Sequence, residues 1–394
     1  MSISSVSFNQ TKGGLSKQNS NTDNISALVV YTVTNILPAS GYTTQNWKKY
    51  GSVYEAESDY INSNQTGVLK HTWYQIDQYF RINPTAPLYV YFVSGTTYSF
   101  SEVKTLQNAT KGEIKQFAID VYSRPFNTSD ITALQTISTE LKDVYQTPAY
   151  FLYGSKVTGL TLASATDLRS GTYLCPDVSV VIGSDAGGVG GTISTANSVT
   201  CNQLGVTLGI MSLKKVSNSI AWVGAFPIND GDSEYYTLKI GGDSYENVTP
   251  TTKNDLNNKG YIFVNQYANK AGSFLSGDVN ANLSTDDYND IQTSQVVMKA
   301  RRGVYAMMVD LLNSPVNIDG TTGKIDVSTC KYFESQASNP LEIMKINTEI
   351  SDYKVFCDPN QNILSTSKVY VNVTIVPVGT AKEIVVNIGL AAKI

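Results

Sequence analysis

The stretch Leu88-Tyr-Val-Tyr-Phe-Val93 decides the fold class. Its apolar and aromatic residues run without polar alternation, which is typical of a strand buried on both faces of a sheet. Just upstream, residues 68–80 carry apolar side chains at helical spacing, and Pro84 and Pro87 separate this predicted helix from the strand. A helix that leads into a buried strand indicates an α/β arrangement.

The alternation of strands and helices continues on both sides of that stretch. Further strands are predicted at residues 25–33, 116–122, 149–153 and 178–182. Helices are predicted at residues 128–144, with Thr128 or Ser129 as N-cap, and at about 195–213. This order predicts a mostly parallel sheet in the first part of the chain.

After Pro227 the pattern changes, and the whole chain is predicted to be a mixed α/β and α+β protein. A strand is predicted at residues 260–265, one long helix at 286–312 and a short helix at 340–350. Gly303 weakens the long helical pattern without ending it.

The chain closes with two segments in which apolar and polar residues alternate, at residues 368–377 and 384–390. Alternation of this kind predicts two half-buried strands. A strand at a chain terminus pairs either within its own sheet or with the sheet of a neighbour. Periodicity alone leaves both arrangements open.

Composition gives no sign of a nucleic-acid-binding protein, because 29 basic and 33 acidic residues leave a net charge of −4. Charged residues make up only 16 %, and Tyr (25) outnumbers Phe (12). Such a surface suits a protein that is largely covered by neighbours, although a compositional bias of the source would look the same.

The N-terminal residues 1–20 are polar, so no signal peptide is expected, and no apolar run is long enough to span a membrane. The four cysteines, Cys175, Cys201, Cys330 and Cys357, are far apart in sequence. Four buried, reduced thiols are expected, while two disulfides would require an oxidising compartment.

The sequence contains no recognisable set of catalytic residues. The only histidine, His71, cannot build a triad or a zinc set, and it is expected to be a satisfied, partly exposed side chain. The glycine-rich residues 183–191 lack the spacing of a phosphate loop and are expected to form a flexible connection. We therefore expect no catalytic residue and no cofactor.

A calcium site at residues 278–287 is not expected, since this acidic segment has no central Gly and no Glu at its twelfth position. Asp286 and Asp287 are instead expected in the first turn of the long helix. No metal site is predicted.

Lys299, Arg301 and Arg302 form a basic cluster on the predicted long helix. This cluster is either a solvated face or a contact patch for an acidic partner.

Several segments together resemble the sheath proteins of contractile phage tails and contractile injection systems, notably the sheath-like tail proteins of Bacteroidetes-type hosts. The strongest match is Ile350-Ser-Asp-Tyr-Lys-Val-Phe-Cys-Asp-Pro-Asn-Gln-Asn362 followed by the two terminal strands. Other matching segments lie at residues 12–15, 74–83, 88–93, 204–220, 259–264, 286–288 and 297–302. The sequence departs from the family at Gln295 and Met298, where an Arg and an Asp are usual.

The resemblance implies a two-part subunit. Residues 1–24 would form a linking arm, residues 25–254 an outer α/β region, and residues 255–394 an inner sheath domain with a C-terminal linking strand. The first strand, at about 25–40, would join the inner domain. In the family, both terminal arms add strands to sheets of neighbouring subunits, which builds rings or a helix.

The implied function is that of a non-enzymatic sheath subunit, which polymerises in hexameric rings or a helix around a tail tube and drives tube ejection by contraction. Its inter-subunit strands would use Ile3, Val6 and Phe8 at one end, and Ile384, Val386, Ile388 and Leu390 at the other. Lys299, Arg301 and Arg302 are the candidates for tube contact. Other implied partners are baseplate and terminator or cap proteins, with neither nucleic acid nor membrane insertion.

The resemblance places the protein in a virion tail, or in an injection machine assembled in the bacterial cytoplasm. The alternative from another class is a secreted β-rich adhesin or glycan-binding module, suggested by the abundance of Tyr, Asn and Thr. That alternative would need a signal peptide.

Overall fold

A computed structural model describes residues 22–33, 46–95, 97–228 and 237–390. The predicted linking residues Ile3, Val6 and Phe8 lie outside these ranges. The strands are β1 Ser26–Thr32, β2 Trp47–Tyr50, β3 Leu88–Ser94, β4 Gln116–Pro125, β5 Tyr150–Lys156, β6 Val178–Val181, β7 Gly183–Asp185, β8 Leu238–Ile240, β9 Asp243–Ser244, β10 Tyr261–Ile262, β11 Val264–Asn265, β12 Phe274–Leu275, β13 Ile350–Cys357 and β14 Val371–Pro377. The helices are α1 Val53–Ser58, α2 Gly67–Ile82, α3 Ser101–Ala109, α4 Thr128–Asp143, α5 Gly188–Asn197, α6 Leu204–Leu213, α7 Pro250–Asn258, α8 Ile291–Val309, α9 Val327–Ile346 and α10 Ile363–Thr366.

A seven-stranded sheet in the order β10-β6-β5-β4-β1-β3-β2 organises most of the chain. Every neighbouring pair is parallel except β2 and β3. Strand β1 is buried along its whole length, and Leu88, Val90 and Phe92 of β3 are buried beside it. The mostly parallel sheet predicted from the strand and helix pattern is confirmed.

Helices α2 and α6 cross at close range because α6 carries two glycines at the contact. A Cβ at Gly205 would lie 2.2 Å from the carbonyl oxygen of Gln75, and one at Gly209 would lie 2.9 Å from Cβ of Ile82. The hydrogen bond from Gly205 N to Gln75 Oε1, 2.7 Å long, joins the helices at the same point. Any larger residue at 205 would force them apart.

The helix predicted at 195–213 is wrong as a single element. Two helices, α5 and α6, flank a break at which Ser198 adopts a left-handed φ of 52°. Between them, Asn202 forms a β-bridge with Ser184. Pairing with the sheet therefore overrides the helical pattern of the sequence.

Three more predicted helix boundaries are wrong. The N-cap of α4 is Asn127, whose side chain accepts a hydrogen bond from Ser129 N, and not Thr128 or Ser129. The other two lie in the last third of the chain. Helix α8 begins at Ile291, because the Asp290 carboxylate accepts a hydrogen bond from Thr293 N, so Asp286 and Asp287 precede it. Helix α9 runs through Pro340 to Ile346, whereas a short helix at 340–350 was predicted.

A second, smaller core joins α8 and α9 to the antiparallel pair of β13 and β14. Its buried members include Val296, Leu341 and Ile350. Strand β1 lies between β3 and β4 in the large sheet, and β10 lies at one edge of that sheet. The division at residues 24 and 254 stays a prediction.

Candidate assembly surfaces

The hairpin of β13 and β14 is an antiparallel pair with one face covered and the other exposed. Tyr353, Val355 and Ile375 pack against the smaller core. On the opposite side, Phe356 and Val376 are exposed. Within the described residues this sheet has only two strands, so each strand presents an edge.

The sequence pattern predicted the second strand of this pair, and β14 confirms it. Strand β13 was not predicted, although the apolar residues Tyr353 and Val355 alternate with the polar residues Asp352 and Lys354. That alternation is the signal that could have found β13.

The segment at residues 383–390 is apolar and exposed on all sides. Exposed fractions are 79 % at Ile384, 71 % at Val386, 90 % at Ile388 and 104 % at Leu390. The segment forms no helix or strand, so the half-buried strand predicted at residues 384–390 is absent from the subunit itself. Within the described part of the chain its backbone makes no hydrogen bond. Contiguous exposed apolar side chains are a common feature of interaction surfaces in proteins.

An anchor at the start of α8 fixes the point at which this segment leaves the subunit. Gln292 Nε2 donates to the carbonyl of Val378 at 2.7 Å, and Thr380 Oγ1 donates to Gln292 Oε1 at 2.5 Å. Lys382 forms an ion pair with Asp290 at 3.3 Å. Sequence reasoning missed Gln292, because nothing in its local pattern distinguishes it from other helical glutamines.

The basic cluster predicted for tube contact makes contacts inside the subunit. Lys299 pairs with Asp23 at 2.5 Å and with Glu349 at 2.7 Å, and Arg302 pairs with Asp23 at 2.9 Å. Burial acts to raise the pKa of Asp23, but the two cations outweigh it and hold that pKa below its usual value.

Arg301 lies nearer the surface than the other two basic residues. It pairs at 2.9 Å with Asp143 at the end of α4. Together with Arg302, which also donates to the carbonyl of Pro148, it attaches α8 to the large α/β part. The three side chains therefore have internal partners, and their contact with a tube stays a prediction.

Open α/β proteins usually bind ligands at the carboxyl ends of their parallel strands. In this protein, buried polar side chains that hydrogen-bond to one another occupy that region. His71 is fully buried, with Nε2 2.7 Å from Asp120 Oδ2, so the expected partial exposure is wrong. Tyr74 OH donates to Asp185 at 2.8 Å, and Asn202 Nδ2 donates to Asp120 at 3.4 Å.

The glycine-rich residues 183–191 are not the flexible connection that was expected. They form β7 and the first turn of α5, and Gly187 N donates to Asp185 Oδ1 at 2.9 Å. A Cβ at Gly191 would lie 2.2 Å from the carbonyl oxygen of Ala186. The absence of a side chain at Gly191 thus allows the first turn of α5 to pack closely against the backbone of Ala186.

A cleft of about 670 Å³ lies beside the anchor, lined by Trp222, Tyr267, Asp278 and residues 378–382. Burial raises the pKa of Asp278 to about 6, against the attraction of Lys214. Asp278 Oδ2 accepts a hydrogen bond from Gln292 N at 3.3 Å, whereas Oδ1 has no partner among the described residues. The described residues contain no cluster of His, Cys, Asp or Glu suited to a metal ion.

Two family models cover nearly the whole sequence. The model described as DUF2586, N-terminal domain, matches residues 3–278, and that described as DUF2586, C-terminal domain, matches residues 287–394. The chain belongs to the DUF2586 family. No curated protein matches this DUF2586 member.

Solved structures share the fold of this DUF2586 protein over its full length. A chain in the cryo-EM structure of the anti-feeding prophage baseplate matches with a TM-score of 0.65 and 14 % identity, over 99 % of each chain. A chain in the sheath complex of the PVC extracellular contractile injection system, in its contracted state, matches with a TM-score of 0.64 and 15 % identity, over 100 % of this chain and 99 % of that one.

The predicted resemblance to contractile sheath proteins is confirmed at the level of the fold. Among the described residues of this DUF2586 member, no helix combines the length and apolar character needed to cross a membrane.

Proposed function

We propose that this protein is a structural, non-enzymatic subunit of a contractile sheath. In this proposal it polymerises as hexameric rings or a helix around a tail tube, and contraction of the polymer drives the tube out. The observation that carries the proposal is the exposed apolar segment 383–390. This segment extends from a subunit that shares its fold over the full length with a chain of a sheath complex.

Segment 383–390 joins its neighbour by adding a strand to an open sheet edge. The hairpin of β13 and β14 has the edges such a strand requires, and a strand supplies both backbone hydrogen bonds and side chains for alternate pockets. Ile384, Val386, Ile388 and Leu390 form one face of the incoming strand. The N-terminal residues Ile3, Val6 and Phe8 act in the same way at the other end.

Head-to-tail strand exchange creates a mesh in which subunits stay linked while they rotate as rigid bodies. No nucleotide is needed, since the stored free energy lies in the repacking of subunits. The partners are a tube protein, baseplate and terminator or cap proteins, and the setting is a virion tail or an injection machine assembled in the bacterial cytoplasm. Lys299, Arg301 and Arg302 remain the candidates for tube contact.

The test places charges on the apolar face of the proposed strand. The double substitution Val386→Asp and Ile388→Asp should abolish polymers, because two carboxylates would be buried without partners. Circular dichroism should stay unchanged, since both side chains are exposed in the subunit. Asn387→Asp, on the other face, is the matched control and should still assemble.

Negative-stain microscopy and sedimentation report the outcome. Hollow tubes or rings from wild type and Asn387→Asp, with dispersed particles from the double variant, are the expected result. Ordered tubes from the double variant would overturn the proposal.

A further inference from the structure

Two of the four cysteines lie side by side in the smaller part of the molecule. Cys330 is in the first turn of α9, and Cys357 ends β13, 27 positions further along the chain. Their Sγ atoms are 3.3 Å apart, and the two residues are only 2 % and 1 % exposed. Both cysteines are free thiols in this structure.

We propose that Cys330 and Cys357 form a disulfide once the protein leaves a reducing compartment, and that this bond locks the C-terminal hairpin onto α9. A disulfide has an S–S length of about 2.05 Å, so the sulfurs need to approach by about 1.3 Å.

The surroundings of the pair permit slow oxidation. The small cluster that covers it is completed by partly exposed side chains such as Val316, Ile363 and Val371. Burial, together with the hydrogen bond to Cys330, raises the pKa of Cys357 to about 12, so the thiolate is scarce and reaction requires local opening. Cys175 and Cys201 lie in other clusters, away from this pair.

The chemistry is exchange with a small-molecule disulfide of the glutathione class. The thiolate of one cysteine attacks the oxidant, forms a mixed disulfide and expels one small thiolate. The second cysteine attacks the mixed disulfide, forms the protein S–S bond and expels the second small thiolate. The two electrons and two protons lost by the cysteines convert the oxidant into two thiols.

The consequence of the bond lies at the hairpin. Cys357 pairs with Val371 at the end of the β13–β14 ladder, and Cys357 N donates to Glu334 of α9 at 3.0 Å. A disulfide would fix that end of the hairpin covalently to α9. This inference rests on the proposed function in one respect, since it supposes that the sheath is assembled in a reducing cytoplasm and acts outside it.

The test uses the purified full chain in buffer containing oxidised glutathione, followed by alkylation and peptide mass spectrometry without reduction. We expect a peptide that links Cys330 to Cys357, and a fall from four free thiols to two. The melting temperature should rise by roughly 5 °C relative to the reduced protein. Cys330→Ser should lose the link and the shift, whereas the control Cys175→Ser should keep both.

Refolding from urea in the same buffer removes burial as an obstacle to reaction. If neither folded nor refolded protein contains the Cys330–Cys357 link, or if Cys175 or Cys201 is linked in its place, the proposal is overturned. The non-assembling double variant Val386→Asp, Ile388→Asp should still form the bond. Failure of the disulfide and failure of strand exchange are therefore distinguishable.

Discussion

Ion pairs between individual residues connect the large sheet of this protein with helix α8. Asp23 precedes β1 of the large sheet, and its carboxylate is shared by Lys299 and Arg302 on α8. All three side chains are largely covered, so removal of any one would leave a buried charge without its partner, whereas the exposed pair of Arg301 and Asp143 contributes little. The basic residues predicted as a contact patch thus also connect parts of one subunit.

Asp278 should give folding stability a dependence on pH. Its pKa is raised from 3.8 to about 6 by burial, so the folded state binds this proton more tightly than the unfolded state. Stability from this group is fully present below about pH 4 and falls as the pH rises to about 6.

Asp278→Asn removes that titration. The stability of the variant relative to wild type should therefore increase between pH 4 and pH 6, by up to about 3 kcal/mol. Urea unfolding at several pH values measures this difference. The exposed Asp287→Asn is the control, and an equal slope for both variants would contradict the prediction.

At the scale of elements, glycines set the distances between helices. Gly205 and Gly209 bring α6 against α2, and Gly303 brings α8 against α9. A Cβ at Gly303 would lie 2.7 Å from Cβ of Pro340, closer than carbon atoms approach without a shift. The glycine that weakened the long helical pattern is thus required by the packing of that helix.

Gly303→Ala should destabilise the protein by about 1–3 kcal/mol, because the added methyl group overpacks the α8–α9 contact. Gly320→Ala is the matched control, since a Cβ there meets nothing within 4 Å. Thermal unfolding of both variants measures the difference. A stable Gly303→Ala protein would show that the helices can separate at no cost.

The elements that sequence could predict are those whose own side chains determine them. Strand β3 and helix α2 follow directly from apolar runs and helical spacing. The break between α5 and α6 could not be predicted, because it depends on a bridge from Asn202 to Ser184 in the sheet. Likewise, the anchor at Gln292 depends on where residues 378–380 pass, which no local pattern records.

At the scale of the whole molecule, a well-packed body carries a terminal segment that the body itself does not cover. The large core and the smaller core are complete without residues 383–390, none of which belongs to either. In the proposed assembly, folding and polymerisation would therefore depend on different parts of the sequence.

Deletion of residues 383–394, or of residues 1–15, should leave a folded monomer that does not polymerise. Residues 383–390 belong to neither core, so removal of the C-terminal segment should change the melting temperature by less than about 2 °C. Light scattering and negative-stain microscopy report the loss of polymers. Ordered sheaths from either truncated protein would refute the assignment of the ends to inter-subunit strands.

The contacts of residues 378–382 with Gln292 and Asp290 also limit how far segment 383–390 can reach from the subunit. Beyond Lys382, the eight described residues 383–390 span at most about 26 Å when fully extended. A neighbour that pairs with residues 384–390 has to keep its sheet edge within about that distance of Lys382 in every state of the polymer. Large changes in the diameter of a sheath would then come from pivoting of subunits around a short tether, with the spacing between linked neighbours nearly constant.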